Sequence, residues 1–289
     1  MSSLRIEHLT KYAYSRPVSF GRHRLVLRPR EGHDVRVASM RLEIAPAHRL
    51  EWIRDVFGNS VAIVDFVAEA AELSIHSGVV VERSLPLPED DGREPWRVPY
   101  PVSYDLLEAS IAAAYQAATY PEELDSVKAW VGRELSIAES MDAEGVMHRL
   151  GELVHRGVKY QRRQEKGVQS PAETLSRASG SCRDMATLMM DAARSLGFAA
   201  RFASGYLDCP ASEAGRAAMH AWAEIYLPAL GWRGYDPTLG EPTSLKHLVV
   251  GVSNHPRGVM PVSGMFTGAS SDYISMTATV KIEKLPAAG

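Results

Sequence analysis

The sequence is short of cysteine, of net charge and of long apolar runs, and each shortage closes a class of explanation. Only two cysteines occur in 289 residues, Cys182 and Cys209. They are too far apart for a Cys-x-x-Cys metal clip and too few for a disulfide framework, so the expectation is a free thiol in a reducing compartment. A formal net charge of −3 leaves no electrostatic footprint for nucleic acid or for an anionic membrane surface. No stretch approaches the roughly 20 apolar residues of a membrane-spanning helix, and the segment from Met1 to Glu7 lacks the apolar core of a secretory leader. A cytoplasmic location is therefore expected, with neither nucleic acid nor membrane among the partners. Ten histidines are scattered without His-x-x-x-His or His-Glu-x-x-His spacing, so neither a metal nor a cofactor is expected.

What the chain does have is enough apolar material to fold. With 45% hydrophobic residues over this length, one large or two ordinary domains can each bury a core. The first 84 residues read as short strands: Leu4 to Tyr14, Arg22 to Leu27, Val35 to Ile44, Ser60 to Phe66 and Leu73 to Val81. Turn residues such as Ser15-Arg16-Pro17 and Phe57-Gly58-Asn59-Ser60 separate them. This spacing predicts a small antiparallel sandwich over residues 1–84. Prolines and charges from Leu85 onward predict an exposed linker over 85–102. A second unit over 103–289 follows, with helices at Leu106 to Ala118, Leu124 to Leu135 and Ala143 to Val158. Strands are expected at Phe198 to Leu207, His220 to Leu227, Trp232 to Asp236 and, in the tail, Tyr273 to Ile282.

Chemistry concentrates in the second half. Ser170-Pro171-Ala172-Glu173 is a helix start with an N-cap, a proline at the first position and a capping-box acid. Ser181-Cys182-Arg183-Asp184 repeats the pattern and places Cys182 at the first position of a helix that runs to Gly197. Met185, Leu188, Met189, Ala192 and Leu196 form its apolar stripe, and Cys182 stands off it. A thiol with an ordinary pKa of about 8.5 is only a few per cent thiolate at neutral pH. Free N–H groups and the positive end of a helix dipole favour the anion, and the same N–H groups suit a developing oxyanion.

Downstream, His220 enters one strand and Asp236 ends the next, with a turn at Leu227-Pro228-Ala229-Leu230-Gly231 between them. Folding back at that turn brings the aspartate toward the histidine, the arrangement in which a carboxylate fixes an imidazole tautomer. Each residue alone reads as ordinary: a packed cysteine, a strand histidine, an Asp-Pro turn. Taken together, Cys182, His220 and Asp236 point to a thiol nucleophile, its base and the group that orients the base. Asp184 reads as a structural N3 cap, and Cys209, in a loop without a nearby histidine, as incidental. Glu224 either supports the site or is solvated. Trp222, Trp232 and Tyr235 read as core aromatics.

These boxes resemble the transglutaminase-like superfamily, whose core is papain-like. The resemblance rests on Gly180-Ser181-Cys182-Arg183-Asp184, Arg201 to Leu207 with its Ser204-Gly205-Tyr206, His220-Ala221-Trp222-Ala223-Glu224, and Gly231-Trp232 through Asp236-Pro237-Thr238. His8 to Tyr14, Leu27 to Arg30 and Asp55 to Asn59 are similar to the β domain that precedes the core in bacterial members. Two departures stand out: Arg183 occupies a position where many bacterial relatives carry glutamine, and Asn254 to Gly264 replaces an Arg-Asp-Tyr segment. The resemblance implies an α+β fold in which the nucleophile sits at a helix N-terminus packed on an antiparallel sheet. It also implies a thioester acyl-enzyme built on Cys182, His220 and Asp236, acting on an amide of a peptide, protein or peptide-like molecule. Water as second nucleophile makes a hydrolase and an amine makes a transglutaminase. The absence of an acidic calcium loop favours the hydrolase, while a binding module that has lost activity is the third reading.

Overall fold

The computed structural model describes residues 2–84, 96–163, 167–208 and 219–286. In chain order, six strands come first: β1 (Ser2–Phe20), β2 (His23–Leu25), β3 (Val35–Ala45), β4 (His48–Arg54), β5 (Ser60–Phe66) and β6 (Ala70–Arg83). Three helices follow, α1 (Ala109–Gln116), α2 (Leu124–Glu134) and α3 (Ala143–Gly157). Then come β7 (Lys159–Tyr160), α4 (Pro171–Arg177), β8 (Ser179–Gly180) and α5 (Cys182–Ser195). The rest is strand: β9 (Ala199–Leu207), β10 (Met219–Leu227), β11 (Gly231–Asp236), β12 (Glu241–Pro242), β13 (His247–Ser253), β14 (Val262–Ser263), β15 (Phe266–Thr267) and β16 (Tyr273–Leu285).

The N-terminal half is an antiparallel sandwich, as its strand spacing predicts. Strand β1 pairs with β6 on one side and β16 on the other, and β3 flanks β6. Alternate residues Leu4, Ile6, His8 and Thr10 of β1 are buried, the period of two that makes one face of a strand apolar. A second sheet runs β14-β2-β5-β4. The two sheets close on a core of Tyr14, Val18, Phe20, Leu25, Val64, Leu73 and Ile75, with inner side chains interdigitating.

Two expectations are corrected. The tail, placed by the sequence in the second unit, ladders along β1 from Leu285–Ser3 to Tyr273–Tyr14 and so completes the N-terminal sheet. The supposed linker ends in docked chain: Val98 is buried and its carbonyl accepts the Ala143 N–H at 2.8 Å; residues 85–95, with Cys209, lie outside the described residues. Strands β4 and β13 were not anticipated. β4, His-Arg-Leu-Glu-Trp-Ile-Arg, is an exposed edge with mixed polarity, so no buried face imposes the alternation that reveals a strand.

The core sheet runs β12-β11-β10-β9-β13. Helix α5 packs on β9 and β10, with α3 beside it. Met185, Leu188, Met189 and Ala192 meet Met147, Leu150 and Val154 on one side and Ala221, Ala223 and Ile225 on the other. Gly197, with φ of 89°, ends the helical segment in the left-handed conformation glycine adopts without penalty. A further cluster of Leu4, Ile6, Val26, Val79 and Val81 with Tyr206, Leu248 and Val250 joins the sandwich to β9 and β13. The two halves thus share a packed boundary. Among the described residues no helix is long and apolar enough to cross a membrane.

Gly205 marks a close approach within the core sheet. A Cβ there would lie 2.0 Å from the Leu248 carbonyl oxygen and 2.7 Å from the Trp222 ring, distances no rotamer change relieves because one neighbour is backbone. Overpacking of this kind costs about 1–3 kcal/mol and occasionally more. Gly205→Ala is expected at or above the upper end, read as a lowered urea midpoint; an unchanged midpoint would contradict the packing.

Candidate active site

The nucleophile candidate is placed by local capping. Ser181 holds extended backbone (φ −80°, ψ 173°), and the Asp184 carboxylate reaches back to accept its N–H at 2.7 Å and its hydroxyl at 2.8 Å. This is the N3 role expected for Asp184. The carboxylate, with no exposed surface, also accepts Arg163 Nη1 at 2.9 Å and the Gln169 N–H at 2.8 Å. The N–H groups of Asp184 and Met185 turn back to the Ser181 carbonyl at 3.0 Å each. Those of Cys182 and Arg183 precede the first position that can find a partner inside the helix, so they remain directed out of its end. Cys182 itself is half-buried, and β8 just ahead of it is pinned by a parallel pairing with β7, Tyr160 opposite Gly180.

The histidine and aspartate arrive from neighbouring strands. Strand β10 pairs with β11 from Leu227–Gly231 to Ala223–Tyr235, so the chain reversal expected at Pro228 to Gly231 carries Asp236 back to the start of β10. His220 Nε2 donates to Asp236 Oδ2 at 2.7 Å. Both side chains are essentially without exposed surface. The Cys182 sulfur is within hydrogen-bonding reach of the same imidazole, and since Asp236 takes Nε2, Nδ1 is the nitrogen left for it. The structure therefore brings together all three residues singled out by sequence.

Two participants were not singled out. Thr238 closes an Asx turn on Asp236, donating its N–H at 2.9 Å and its hydroxyl at 2.6 Å to Oδ1. His247, from β13, places Nε2 3.0 Å from Asp236 Oδ2. The Asp-Pro-Thr triplet was a readable signal for the first. No local signal marks the second, because it reaches Asp236 only through the curl of the sheet. Glu224 is resolved as structural: its Oε2 accepts Arg201 Nε at 2.7 Å, and Arg201 lies 3.9 Å over the Trp232 ring. Trp222 and Tyr235 are buried core aromatics, as expected.

Electrostatics follow from these contacts. Burial alone would push Asp236 up, but the hydrogen bonds from His220 and His247, the charge of His220 and the Thr238 hydroxyl outweigh it and hold the carboxyl well below the usual range. Burial would likewise push His220 down; the bond to Asp236 and the interaction with Cys182 reverse this and raise it to about 10. The ligand-type atoms of His220, Asp236 and His247 lie within 4.8 Å of one another, a donor set of the kind that binds transition metals. Here both Nε2 atoms spend their hydrogens on the carboxylate, so a cation would have to displace two charge-assisted hydrogen bonds in an enclosed space. Hydrogen bonding accounts for the arrangement.

Linkage gives a test. A histidine raised on folding contributes stability that is complete below its unfolded value of about 6.5 and lost as pH rises toward about 10. The unfolding free energy is expected to fall across that window, and Asp236→Asn, which removes the hydrogen bond that raises His220, is expected to move the fall to lower pH. Denaturant titrations at several pH values check this; identical pH dependence in both proteins would contradict it.

Comparison with known proteins sets these features in context. Residues 4–82 match a family model described as the bacterial transglutaminase-like N-terminal region, and residues 132–237 match that of the transglutaminase-like superfamily. An uncharacterized protein of Mycobacterium leprae is 25% identical over 287 residues, covering 97% of this chain and 99% of its own. The solved structure of a candidate cysteine protease from Cytophaga hutchinsonii superposes with a TM-score of 0.73 at 15% identity, over 100% of this chain and 92% of its own. The second likeness is one of fold.

Proposed function

The chain belongs to the transglutaminase-like superfamily, and from that premise we propose that it is a cysteine-dependent amide-bond hydrolase working through a thioester on Cys182. One observation carries the reading. A thiol at the start of α5 stands within hydrogen-bonding reach of His220, whose other nitrogen is held by the buried Asp236 carboxylate.

In the proposed reaction Cys182 and His220 start as a thiolate–imidazolium pair with the proton on His220 Nδ1, and the sulfur attacks the carbonyl carbon of a peptide or peptide-like amide. The carbonyl oxygen becomes an oxyanion, which the free N–H groups at the start of α5 suit by position and dipole. Collapse breaks the C–N bond, and the proton on His220 leaves with the amine, giving a thioester and a neutral imidazole. His220 then takes a proton from water as its oxygen attacks the thioester, and the C–S bond breaks to release the acid and the thiolate, which restores the pair with the protonated His220. Asp236 takes no proton in this cycle. It keeps Nε2 protonated and stabilises the imidazolium when it forms.

The alternative is a transglutaminase on the same three residues, favoured by the descriptions of both matching families. The two differ only in the acceptor of the acyl group. Hydrolysis is preferred because the sequence shows no Asp-x-Asp-x-Asp-Gly calcium loop.

Iodoacetamide is expected to label Cys182 at least about 10-fold faster than Cys209, consistent with an activated thiol. Cys182→Ala is expected to keep its fold while losing both that labelling and turnover in a peptide and amide library. Release of ammonia or new amino termini supports hydrolysis, whereas incorporation of a fluorescent amine into a glutamine-containing acceptor supports transfer. Slow, equal labelling of both cysteines, with turnover unaffected by Cys182→Ala, would overturn both.

A further inference from the structure

The proposed cycle uses Cys182, His220 and Asp236 and gives no task to His247, although His247 shares their carboxylate. Its Nε2 lies 3.0 Å from Asp236 Oδ2, the oxygen that His220 Nε2 engages at 2.7 Å. Its side chain is 3% exposed. A histidine this enclosed, converging on an oxygen already bonded to another histidine, asks for a reason.

The local chain fixes what His247 can do. The Ser244 N–H donates to His247 Nδ1 at 3.1 Å, while the His247 N–H donates to the Ser244 carbonyl at 2.9 Å. The Ser244 to His247 turn thus closes twice on itself, once through backbone and once through the ring. A ring nitrogen that accepts carries no hydrogen, so the proton of the neutral imidazole must sit on Nε2 and point at Asp236. The ring plane is held as well: Trp222 meets it edge-on, with centroids 5.1 Å apart at 77°. Trp222 itself lies over Gly205, where no side chain fits.

We propose that His247 is a positioning residue for the reaction, a neutral N–H donor that locks the Asp236 carboxylate in the one orientation that holds His220 toward Cys182. This rests on the catalytic reading of Cys182, His220 and Asp236. The physical content is a count of lone pairs. Oδ1 receives the Thr238 N–H and hydroxyl; Oδ2 receives His220 and His247. A carboxylate with four donors cannot turn about its bond without breaking several of them. Without His247, Oδ2 keeps one donor and a bare lone pair in an enclosed site, which favours rotation of the carboxylate and its protonation at a higher pH. The titratable groups at this point are Cys182 from α5, His220 from β10, Asp236 from β11 and His247 from β13. Thr238 and Trp222 are uncharged, and His155 of α3 touches the far side of the loop through the Pro237 carbonyl at 3.3 Å.

The test compares His247→Leu with His247→Gln, whose amide N–H can replace the lost donor, and reads the rate of Cys182 alkylation by iodoacetamide against pH. His247→Leu is expected to lower the rate at pH 7 about 10-fold, the size expected when one hydrogen bond to a buried charged group is lost. It should also move the profile toward higher pH, because a less firmly held carboxylate supports the His220 charge beside Cys182 less well. His247→Gln is expected to stay within about 3-fold of the unsubstituted protein, because it keeps the N–H that the proposal makes responsible. A His220→Ala control separates this inference from the one beneath it. If His220→Ala collapses the profile while His247→Leu leaves it unchanged, the triad stands and the role of His247 falls. If the Leu and Gln variants fold and lose rate equally, the role is packing alone and the proposal also falls. Should His247→Leu fail to fold, histidine ¹⁵N shifts of the unsubstituted protein decide: His247 must carry its proton on Nε2 with Nδ1 bare, and the opposite tautomer would overturn the proposal.

Discussion

One buried carboxylate organises this molecule's candidate chemistry. Asp236 has no exposed side-chain surface, and an isolated ionised carboxylate in such a place would protonate or destabilise the fold. It stays ionised because four donors from three segments meet it: His220 on β10, His247 on β13, and the N–H and hydroxyl of Thr238 just after β11. Everything that positions those donors is part of the site. That includes the reversal between β10 and β11, the Asx turn at Asp236, the turn from Ser244 to His247, and Gly205, which yields its space to Trp222.

The thiol is held by a separate device that shares no residue with the first. A second buried carboxylate, Asp184, ties the Ser181 cap, Gln169 and Arg163 together at the start of α5. The apolar stripe of α5 then seats the helix on β9 and β10. Helix and sheet arrive independently, and the Cys182–His220 contact forms where they meet. The N-terminal sandwich takes no direct part in this contact. Its packing through Leu4, Ile6 and Val79 against Tyr206, Leu248 and Val250 backs the strands that carry Gly205 and His247. The tail strand β16, pairing along β1, returns the chain to that sandwich after the core is complete.

How much of this could be read from residues alone follows from the range of the interactions involved. Capping is local, so Ser181-Cys182-Arg183-Asp184 and Ser170-Pro171-Ala172-Glu173 announced their helices within a residue or so. The pairing of His220 with Asp236 was readable because a single short turn separates their strands. His247 was not readable: it lies eleven residues beyond Asp236 in an apolar stretch, His-Leu-Val-Val-Gly-Val-Ser, and only the curl of a five-stranded sheet brings it back. The pairing of the tail with β1 was hidden for the same reason, since residues more than 250 apart carry no local trace of their register. Arg163 on Asp184, and Arg201 on Glu224, show that the partner of a buried charge is set by tertiary packing even where the charge itself is placed by a local rule.

The claim on which the account turns is that Asp236 holds His220 with Nε2 protonated and Nδ1 directed to sulfur. The most direct measurement is ¹H–¹⁵N NMR of the His220 ring in the protein labelled at histidine. The account predicts a hydrogen-bonded proton on Nε2 that persists through neutral and alkaline pH and is lost or weakened in Asp236→Asn. A His220 ring with Nε2 bare and its only proton on Nδ1 would contradict it.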